Sequence, residues 1–163
     1  MKSLSIGKTD IVILDMEHYT KYKNVIFNEI IDNEYIFVMS KEYEIENNVS
    51  IKEISDLNNY SLILPKESTS AKKVLDKYLG GQQINSHYEM ISEKMRKDLA
   101  VEGLGIAYVM KSLVQEEINN GELIEIKINR VNNESKVGLA ILKDEISSFA
   151  TKKLVEYIEK LSK

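Results

Sequence analysis

The 163-residue chain has no cysteine, and it contains only two histidines and two arginines. Without cysteine it can form neither a disulfide framework nor a thiolate metal site. The histidines, His18 and His87, stand alone in the sequence, and we interpret both as surface or packing residues. These shortages argue against a metal centre and against a histidine-based catalytic triad, and we expect no cofactor.

Positive charge is scarce as well. The formal net charge is -4, and the two arginines, Arg96 and Arg130, are far apart. The chain therefore offers no broad basic face for a phosphate backbone, which argues against DNA binding by these residues alone. It also lacks an apolar run of about 20 residues and a signal-peptide pattern, which predicts a cytoplasmic protein that does not enter a membrane.

The hydrophobic pattern alternates between strands and helices. Short apolar runs bounded by polar residues predict buried strands at 10–16, 34–41, 60–64, 106–110, 122–128 and 136–143, with a further candidate at 25–31 and a weak one near 83–88. A Ser50/Glu53 capping box predicts the start of a short helix. The other predicted helices cover Ala71–Leu79, Ser92–Glu102, 111–118 and about 145–161. This alternation favours an open α/β sheet with helices on its faces.

The last predicted helix is amphipathic. It offers four apolar side chains for one buried face, namely Phe149, Leu154, Ile158 and Leu161. At the other end of the chain, KSLSIG has the composition of the last turn of a helix, so we expect an upstream segment in the natural protein.

The segment AVEGLGIAYVM, residues 100–110, contains a Gly-x-Gly pair of the kind found in phosphate-binding loops. A dinucleotide fingerprint needs a strand before the glycines and a helix after them. Here the order is reversed, because a helix that Ser92 can cap comes first and a short strand follows. We therefore interpret Gly103 as a left-handed helix C-cap and Gly105 as a tight turn into the strand.

No set of residues has the pattern of a catalytic site. We interpret the carboxylates of Glu42, Glu44 and Glu46 as solvated surface groups, because nothing in the sequence fixes two of them across a site. No nucleophile is paired with a base. The sequence therefore predicts a protein that is not an enzyme.

A serine and threonine cluster is the first candidate for ligand binding. Ser68, Thr69 and Ser70 lie between a predicted strand and a predicted helix. Their hydroxyls and the unpaired helix amides would converge at the positive end of the helix, which suits an anion. A simple helix cap explains the same residues, and both interpretations can hold together because the cap hydroxyl and the free amides are separate groups.

Asp15 is the second candidate. It lies at the carboxyl end of the predicted strand 10–16, which is a favoured ligand position in open α/β folds. A helix cap or a solvated loop carboxylate explains this residue equally well, and the sequence leaves the alternatives open.

Five segments follow one another over nearly the whole chain: LSIGKTDIVIL, EYIFVMSK, ISDLNNYSLILP, ESTSAKKVLD and AVEGLGIAYVMKSLVQEEINNGELIEI. Their order resembles the effector-binding domain of LysR-type transcriptional regulators. The chain departs from that family at Met110, where a proline is usual, and at Lys41-Glu42-Tyr43, where a His-Pro pair is usual. These departures concern the geometry of local loops rather than the fold.

The resemblance implies two Rossmann-like subdomains joined by hinge strands, as in periplasmic-binding-protein type II folds. Subdomain one would comprise about residues 1–38 and 137–163, and subdomain two about residues 39–136. A small polar effector would bind in the cleft between them. The implied function is small-molecule sensing within a DNA-binding transcriptional regulator.

The resemblance also implies parts that this sequence does not contain. DNA would be bound only through an N-terminal winged helix-turn-helix domain upstream of Met1, and the first strand and helix of the effector domain would also lie upstream. Effector domains of this family pair side by side, so we expect a homo-oligomer. The alternative is a solute-binding protein of a transport system with the same fold, which the lack of an export signal disfavours.

Within the family, positions matching Ser68, Thr69 and Ser70 line the effector cleft. Asp15 occupies a position where some members place a basic residue that faces an acidic effector. An aspartate there would repel a dicarboxylate, but it could hold an ammonium group. A carboxylate at the serine and threonine cluster and an amine at Asp15 would suit an amino-acid-like effector.

Overall fold

The computed structural model describes residues 2–15, 24–128, 134–143 and 148–161. The elements are α1 (Lys2–Ser5), β1 (Ile11–Asp15), β2 (Val25–Ser40), α2 (Lys41–Asn47), a 3₁₀ helix (Ile54–Asn59), β3 (Leu62–Pro65), α3 (Ser70–Leu79), β4 (Tyr88–Met90), α4 (Glu93–Val101), β5 (Ile106–Met110), α5 (Lys111–Asn120), β6 (Leu123–Ile126), β7 (Glu134–Leu142) and α6 (Phe149–Leu161). The predicted α/β class is confirmed.

The chain forms two compact units. Unit 1 comprises Met1–Asn33 and Ser135–Lys163, and unit 2 comprises Glu34–Glu134. The strand β2 contributes residues to both units, because the boundary falls between Asn33 and Glu34. The assignment of two functional subdomains stays a prediction.

Unit 2 contains a mixed sheet whose described strands have the order β6, β2, β5, β3 and β4. The second half of β2 is antiparallel to β5, with Phe37 opposite Tyr108. The strands β5 and β3 are parallel, with Leu62 beside Ile106, and β4 is parallel to β3 on its other side. Parallel strands place their carboxyl ends at one edge of the sheet, and the helices α3 and α5 each begin just after such an end.

Each face of the unit 2 sheet has its own core, because successive side chains of a strand point to opposite faces. One core joins the sheet to α3, and its buried members include Tyr35, Phe37, Leu62, Leu64, Val74, Leu75, Tyr78 and Tyr108. The other core joins the sheet to α4 and α5, and it contains Ile36, Val38, Ile63, Ala100, Ala107, Val109, Val114 and Leu123. The strand β5 is buried on both faces, as its unbroken apolar sequence predicts.

Unit 1 is a smaller sheet with a helix on each face. The strand β1 is antiparallel to β7, and Ile13 lies opposite Leu139. Leu139 packs against Val155 of α6 on one face, and Leu4 of α1 packs against Ala140 on the other.

The face of α6 differs from the predicted one. Phe149 and Leu154 are exposed, whereas Val155 is buried and Ile158 packs against it in the core of unit 1. The predicted start of this helix at residue 145 lies outside the described residues.

Several predicted helix ends are confirmed. The Ser92 hydroxyl caps α4 by accepting a hydrogen bond from the Met95 amide at 3.3 Å. Gly103, directly after the end of that helix, has a left-handed φ of 71°. The helix α3 ends at Gly80, whose φ of 57° is also left-handed. Glycine reaches this conformation without the steric cost that a Cβ imposes.

The predicted capping box at Ser50 and Glu53 is wrong. The box lies three residues later, since Asp56 accepts hydrogen bonds from the amides of Lys52 and Glu53, and it begins a 3₁₀ helix. The Ser50 amide donates instead to the Tyr60 hydroxyl at 2.9 Å. The two amide hydrogen bonds hold the pKa of Asp56 below its ordinary value.

Two strand predictions change in the structure, and one helix was not predicted. The runs 25–31 and 34–41 form one continuous strand, β2. The weak strand near 83–88 lies later, at Tyr88–Met90, where it can pair with β3. The polar segment Lys41–Asn47 forms α2, with the Ser40 hydroxyl accepting a hydrogen bond from the Tyr43 amide.

Gly105 connects α4 to β5 at a close approach of two backbone segments. Its φ is 154°, and a Cβ at this position would lie 2.4 Å from the carbonyl oxygen of Ser61. That carbonyl accepts a hydrogen bond from the Ile106 amide at 2.8 Å. Glycine therefore allows β5 to enter the sheet beside β3.

We expect Gly105→Ala to lower the free energy of unfolding by about 3 kcal/mol or more, because alanine would combine backbone strain with overlap against Ser61. Gly81→Ala is the matched control, since Gly81 has a φ of 89° but nothing within 4 Å of its Cβ position. It should cost about 1 kcal/mol from strain alone. Urea unfolding of both variants measures the difference, and equal losses would contradict the steric explanation.

Candidate functional site

The predicted serine and threonine cluster lies in a turn between β3 and α3, which we call the 66–70 turn. The Thr69 amide and the Thr69 hydroxyl both donate hydrogen bonds to the Lys66 carbonyl, at 2.9 Å and 2.7 Å. The Thr69 Oγ1 atom accepts a hydrogen bond from the Lys72 amide at 3.2 Å. The helix-capping role predicted for Thr69 is therefore confirmed.

Ser68 and Ser70 lie on either side of this cap, and both are exposed to solvent. Amides in the first turn of an α-helix have no partner within the helix, and they carry the positive end of its dipole. Because Thr69 occupies the Lys72 amide, the amides of Ser70 and Ala71 remain as donors at this end. The turn thus combines exposed hydroxyls with helix amides, which is the chemistry that an acidic group can use.

A lysine held between two carboxylates borders the turn. The Lys72 ammonium lies 3.0 Å from the Glu67 carboxylate and also pairs with Asp76 one helical turn later. Burial disfavours the charged form of Lys72, but hydrogen bonds to Asp76 and Glu67 outweigh this effect and raise the pKa of Lys72. The lysine therefore stays charged, and its charge is neutralised within the protein.

Asp15 lies in the other unit. It is the last residue of β1, in register with Val137 of β7. The structure thus brings Ser68, Thr69 and Ser70 together in unit 2 and places Asp15 in unit 1. The ligand-binding role of these four residues stays a prediction.

Two surface pockets of unit 2 lie away from the 66–70 turn. One of about 350 Å³ lies between β6 and residues 49–52, and one of about 330 Å³ adjoins α2. Neither includes a residue of the 66–70 turn. Within the described ranges, no three His, Asp or Glu side chains are grouped so that they could hold a metal ion. No helix in the same ranges is long and apolar enough to cross a membrane.

Sequence reasoning missed two features around the turn. The pairing of Lys72 with Asp76 has a readable signal, since oppositely charged residues four apart meet on a helix surface. The burial of Arg96, whose residue is only 1% exposed, has no such signal, because a single arginine in a polar helix usually faces solvent.

Comparisons with known proteins identify the family. The chain matches the family model of the LysR substrate binding domain over residues 1–162. Comparison with curated protein sequences gives no match. The structure resembles the regulatory domain of CrgA, a LysR-type transcriptional regulator from Neisseria meningitidis, with a TM-score of 0.74, 16% identity, and coverage of 99% of this chain and 79% of that one.

Two further solved structures show the same fold. The regulatory domain of CcmR from Synechocystis PCC6803, in complex with 2-PG, has a TM-score of 0.77 and 15% identity, with coverage of 99% of this chain and 77% of that one. DarR from Vibrio fischeri, in complex with DNA, has a TM-score of 0.77 and 14% identity, with coverage of 98% of this chain and 53% of that one. At these identities the structural likeness establishes the fold.

The structure has helices on both faces of a mixed sheet, as in the periplasmic-binding-protein type II-like fold, and this agrees with the family match over residues 1–162. The match also decides against the alternative of a transport solute-binding protein. The chain belongs to the LysR substrate-binding domain family, the small-molecule-sensing regulatory domain of LysR-type transcriptional regulators.

Proposed function

We propose that this domain binds a small polar effector whose acidic group lies at the 66–70 turn and whose amine lies at Asp15. The observation that carries the proposal is the turn itself, where the exposed hydroxyls of Ser68 and Ser70 lie beside the amides that begin α3. The domain acts by binding alone, and the effector leaves chemically unchanged.

The surroundings of the turn support selection by charge. The Lys72 ammonium already pairs with Glu67 and Asp76, but the side chain of Lys66, which belongs to the turn itself, is exposed. An exposed lysine, two exposed hydroxyls and the helix amides together offer a carboxylate both a cation and neutral donors. This supports an acidic group of the effector at the turn.

The position of Asp15 supports an amine in the effector. It ends a strand of unit 1, as Pro65 before the turn ends a strand of unit 2, and carboxyl ends of strands are favoured ligand positions in α/β folds. A carboxylate contributed from unit 1 would attract an ammonium group and repel a second acid.

We place this domain in a cytoplasmic regulator that binds DNA through a separate winged helix-turn-helix domain. The DNA complex of DarR, a structural neighbour, supports a regulator in which DNA binding and effector binding belong to separate domains. The acidic balance of the present chain supports it as well, since a net charge of -4 opposes contact with a phosphate backbone.

We expect Asp15→Asn to weaken the binding of an amine-bearing carboxylic acid by about tenfold, since a hydrogen bond between charged groups contributes about 1.5–3 kcal/mol. The same variant should strengthen the binding of a carboxylic acid that lacks an amine, because a repulsive charge is removed. Glycine and acetate are the simplest such pair, and titration followed by NMR measures both affinities. Unchanged affinity for both acids would remove Asp15 from the site.

We expect Thr69→Ala to lower the free energy of unfolding by about 1 kcal/mol, because the Lys72 amide loses its cap. The binding of acetate should weaken as well, by about 1 kcal/mol, because the turn loses the two hydrogen bonds of the Thr69 hydroxyl that hold it in place. Thr69→Ser is the matched control, since serine retains the capping oxygen and should preserve both quantities. Binding that is unaffected by Thr69→Ala would contradict the placement of the acidic group.

We also propose that the domain is a homo-oligomer. Apolar side chains lie exposed at the β4 end of the unit 2 sheet, with Tyr88 46%, Ile91 66% and Met95 54% exposed. Neighbouring exposed apolar groups of this size favour association, because contact removes them from water. Sedimentation equilibrium should show a dimer or larger species that Ile91→Lys weakens, whereas a monomer at all concentrations would refute the proposal.

A further inference from the structure

Arg96 is a buried cation at the carboxyl edge of the unit 2 sheet. Its side chain is only 1% exposed, and the carboxylate of Glu93 lies 3.7 Å away. Burial lowers the pKa of Arg96, and the charge of Glu93 opposes that effect. Burying a guanidinium costs free energy unless its N–H groups are hydrogen-bonded. The acceptors of Arg96 therefore explain how it can be buried.

A backbone carbonyl within β5 and one at the end of β4 are the main acceptors. The Arg96 Nε atom donates to the Tyr108 carbonyl of β5 at 3.0 Å, and the Nη1 atom donates to the Met90 carbonyl of β4 at 3.0 Å. These carbonyls belong to strands that lie on opposite sides of β3. One side chain therefore connects the two neighbours of the strand that leads into the 66–70 turn.

The Met90 carbonyl also holds the turn. It accepts a hydrogen bond from the Lys66 amide at 3.1 Å, in addition to the one from Arg96. The Lys66 carbonyl in turn accepts both hydrogen bonds of Thr69, and Thr69 caps α3 through the Lys72 amide. An unbroken series of hydrogen bonds thus leads from the guanidinium to the start of α3.

We propose that Arg96 is the positioning residue of the 66–70 turn. It fixes the Met90 carbonyl, and that carbonyl accepts the hydrogen bond of the Lys66 amide at the start of the turn. The expected effect of Arg96 on effector binding rests on the proposed function, but its effect on the position of the turn does not. Arg96 does not contact the effector. It fixes the positions of the first amides of α3 and of the Ser68 and Ser70 hydroxyls before an effector binds.

The role requires the shape of arginine as well as its charge. A guanidinium presents donors in a planar fork, and here the fork reaches two carbonyls at once. A lysine at position 96 would carry the same charge on a single nitrogen, which cannot reproduce both contacts. Arg96→Lys therefore separates the geometric role from a purely electrostatic one.

Hydrogen exchange of backbone amides in the ligand-free domain tests the proposal. In Arg96→Lys we expect about tenfold faster exchange at Lys66, Thr69 and Lys72, the change expected for loss of about one hydrogen bond. Amides of α5 and of unit 1 should keep their rates. Arg96→Met should give the same pattern or a stronger one.

Two matched variants of α4 serve as controls. Lys94→Met removes an exposed cation that pairs with Asp98 on the same helix, and it should leave the exchange of the turn unchanged. Glu93→Gln removes the charge beside Arg96 but keeps an oxygen for the Met110 amide, so it should also preserve the turn. If Glu93→Gln reproduced the effect of Arg96→Lys, the ion pair rather than the carbonyl contacts would be responsible, and the proposal would be wrong.

Acetate binding provides the second readout. Arg96→Lys should weaken acetate binding by about tenfold, as the loss of supporting contacts does at metal sites, while Lys94→Met keeps the wild-type affinity. Failure of the wild-type domain to bind acetate would count against the acidic-group site and leave the exchange result to decide on Arg96. Exchange rates in Arg96→Lys that match the wild type, or that rise uniformly over the whole domain, would overturn the proposal.

Discussion

The parallel pairing of β3 with β5 is the constraint on which unit 2 depends. It requires the backbone at Gly105 to approach Ser61 more closely than any side chain permits, and it places Leu62 beside Ile106. Once these strands are parallel, their carboxyl ends share one edge, and the chain must leave that edge through turns into helices. The two cores follow from the same pairing, because the alternating side chains of β5 have apolar partners on both faces. The turn that we propose for effector binding is thus a consequence of strand order.

The carboxyl edge poses a second physical problem, because strand ends leave backbone carbonyls and amides without sheet partners. Side chains of α4 supply some of these partners. Arg96 donates to the Met90 carbonyl at the end of β4 and to the Tyr108 carbonyl within β5, and Glu93 accepts from the Met110 amide at the end of β5 at 2.7 Å. An apolar residue in place of the buried arginine could pack equally well, but it would remove these hydrogen bonds and leave the two carbonyls unconnected. The arrangement links β4, β5 and the start of α5 through a single helical turn of α4.

The local chemistry of the 66–70 turn was readable because it depends on neighbours in sequence. A serine and threonine cluster after an apolar run and before a helical pattern predicts a cap, and Thr69 provides it. The same logic failed at Ser50, because two carboxylates nearby compete for the role and Asp56 is better placed to accept the amides. Which of two plausible caps forms depends on where the following turn packs, and that turn buries Ile54 and Leu57 against unit 2. Local patterns therefore locate a cap only to within a few residues when several polar side chains compete.

The sequence by itself determined the alternation of strands and helices, the buried character of β5, the left-handed glycines after α3 and α4, and the family to which their order belongs. Each of these depends on periodicity or on steric limits within a few residues. Only the tertiary structure decided that α6 buries Val155 rather than Phe149, that β4 begins at Tyr88, and that Arg96 lies inside the protein. These outcomes depend on contacts between segments that are far apart in the chain. The order of the strands in the sheet decides which of these segments meet. A helix with apolar residues on more than one side, a weak edge strand and a lone arginine carry no local signal that fixes their partners.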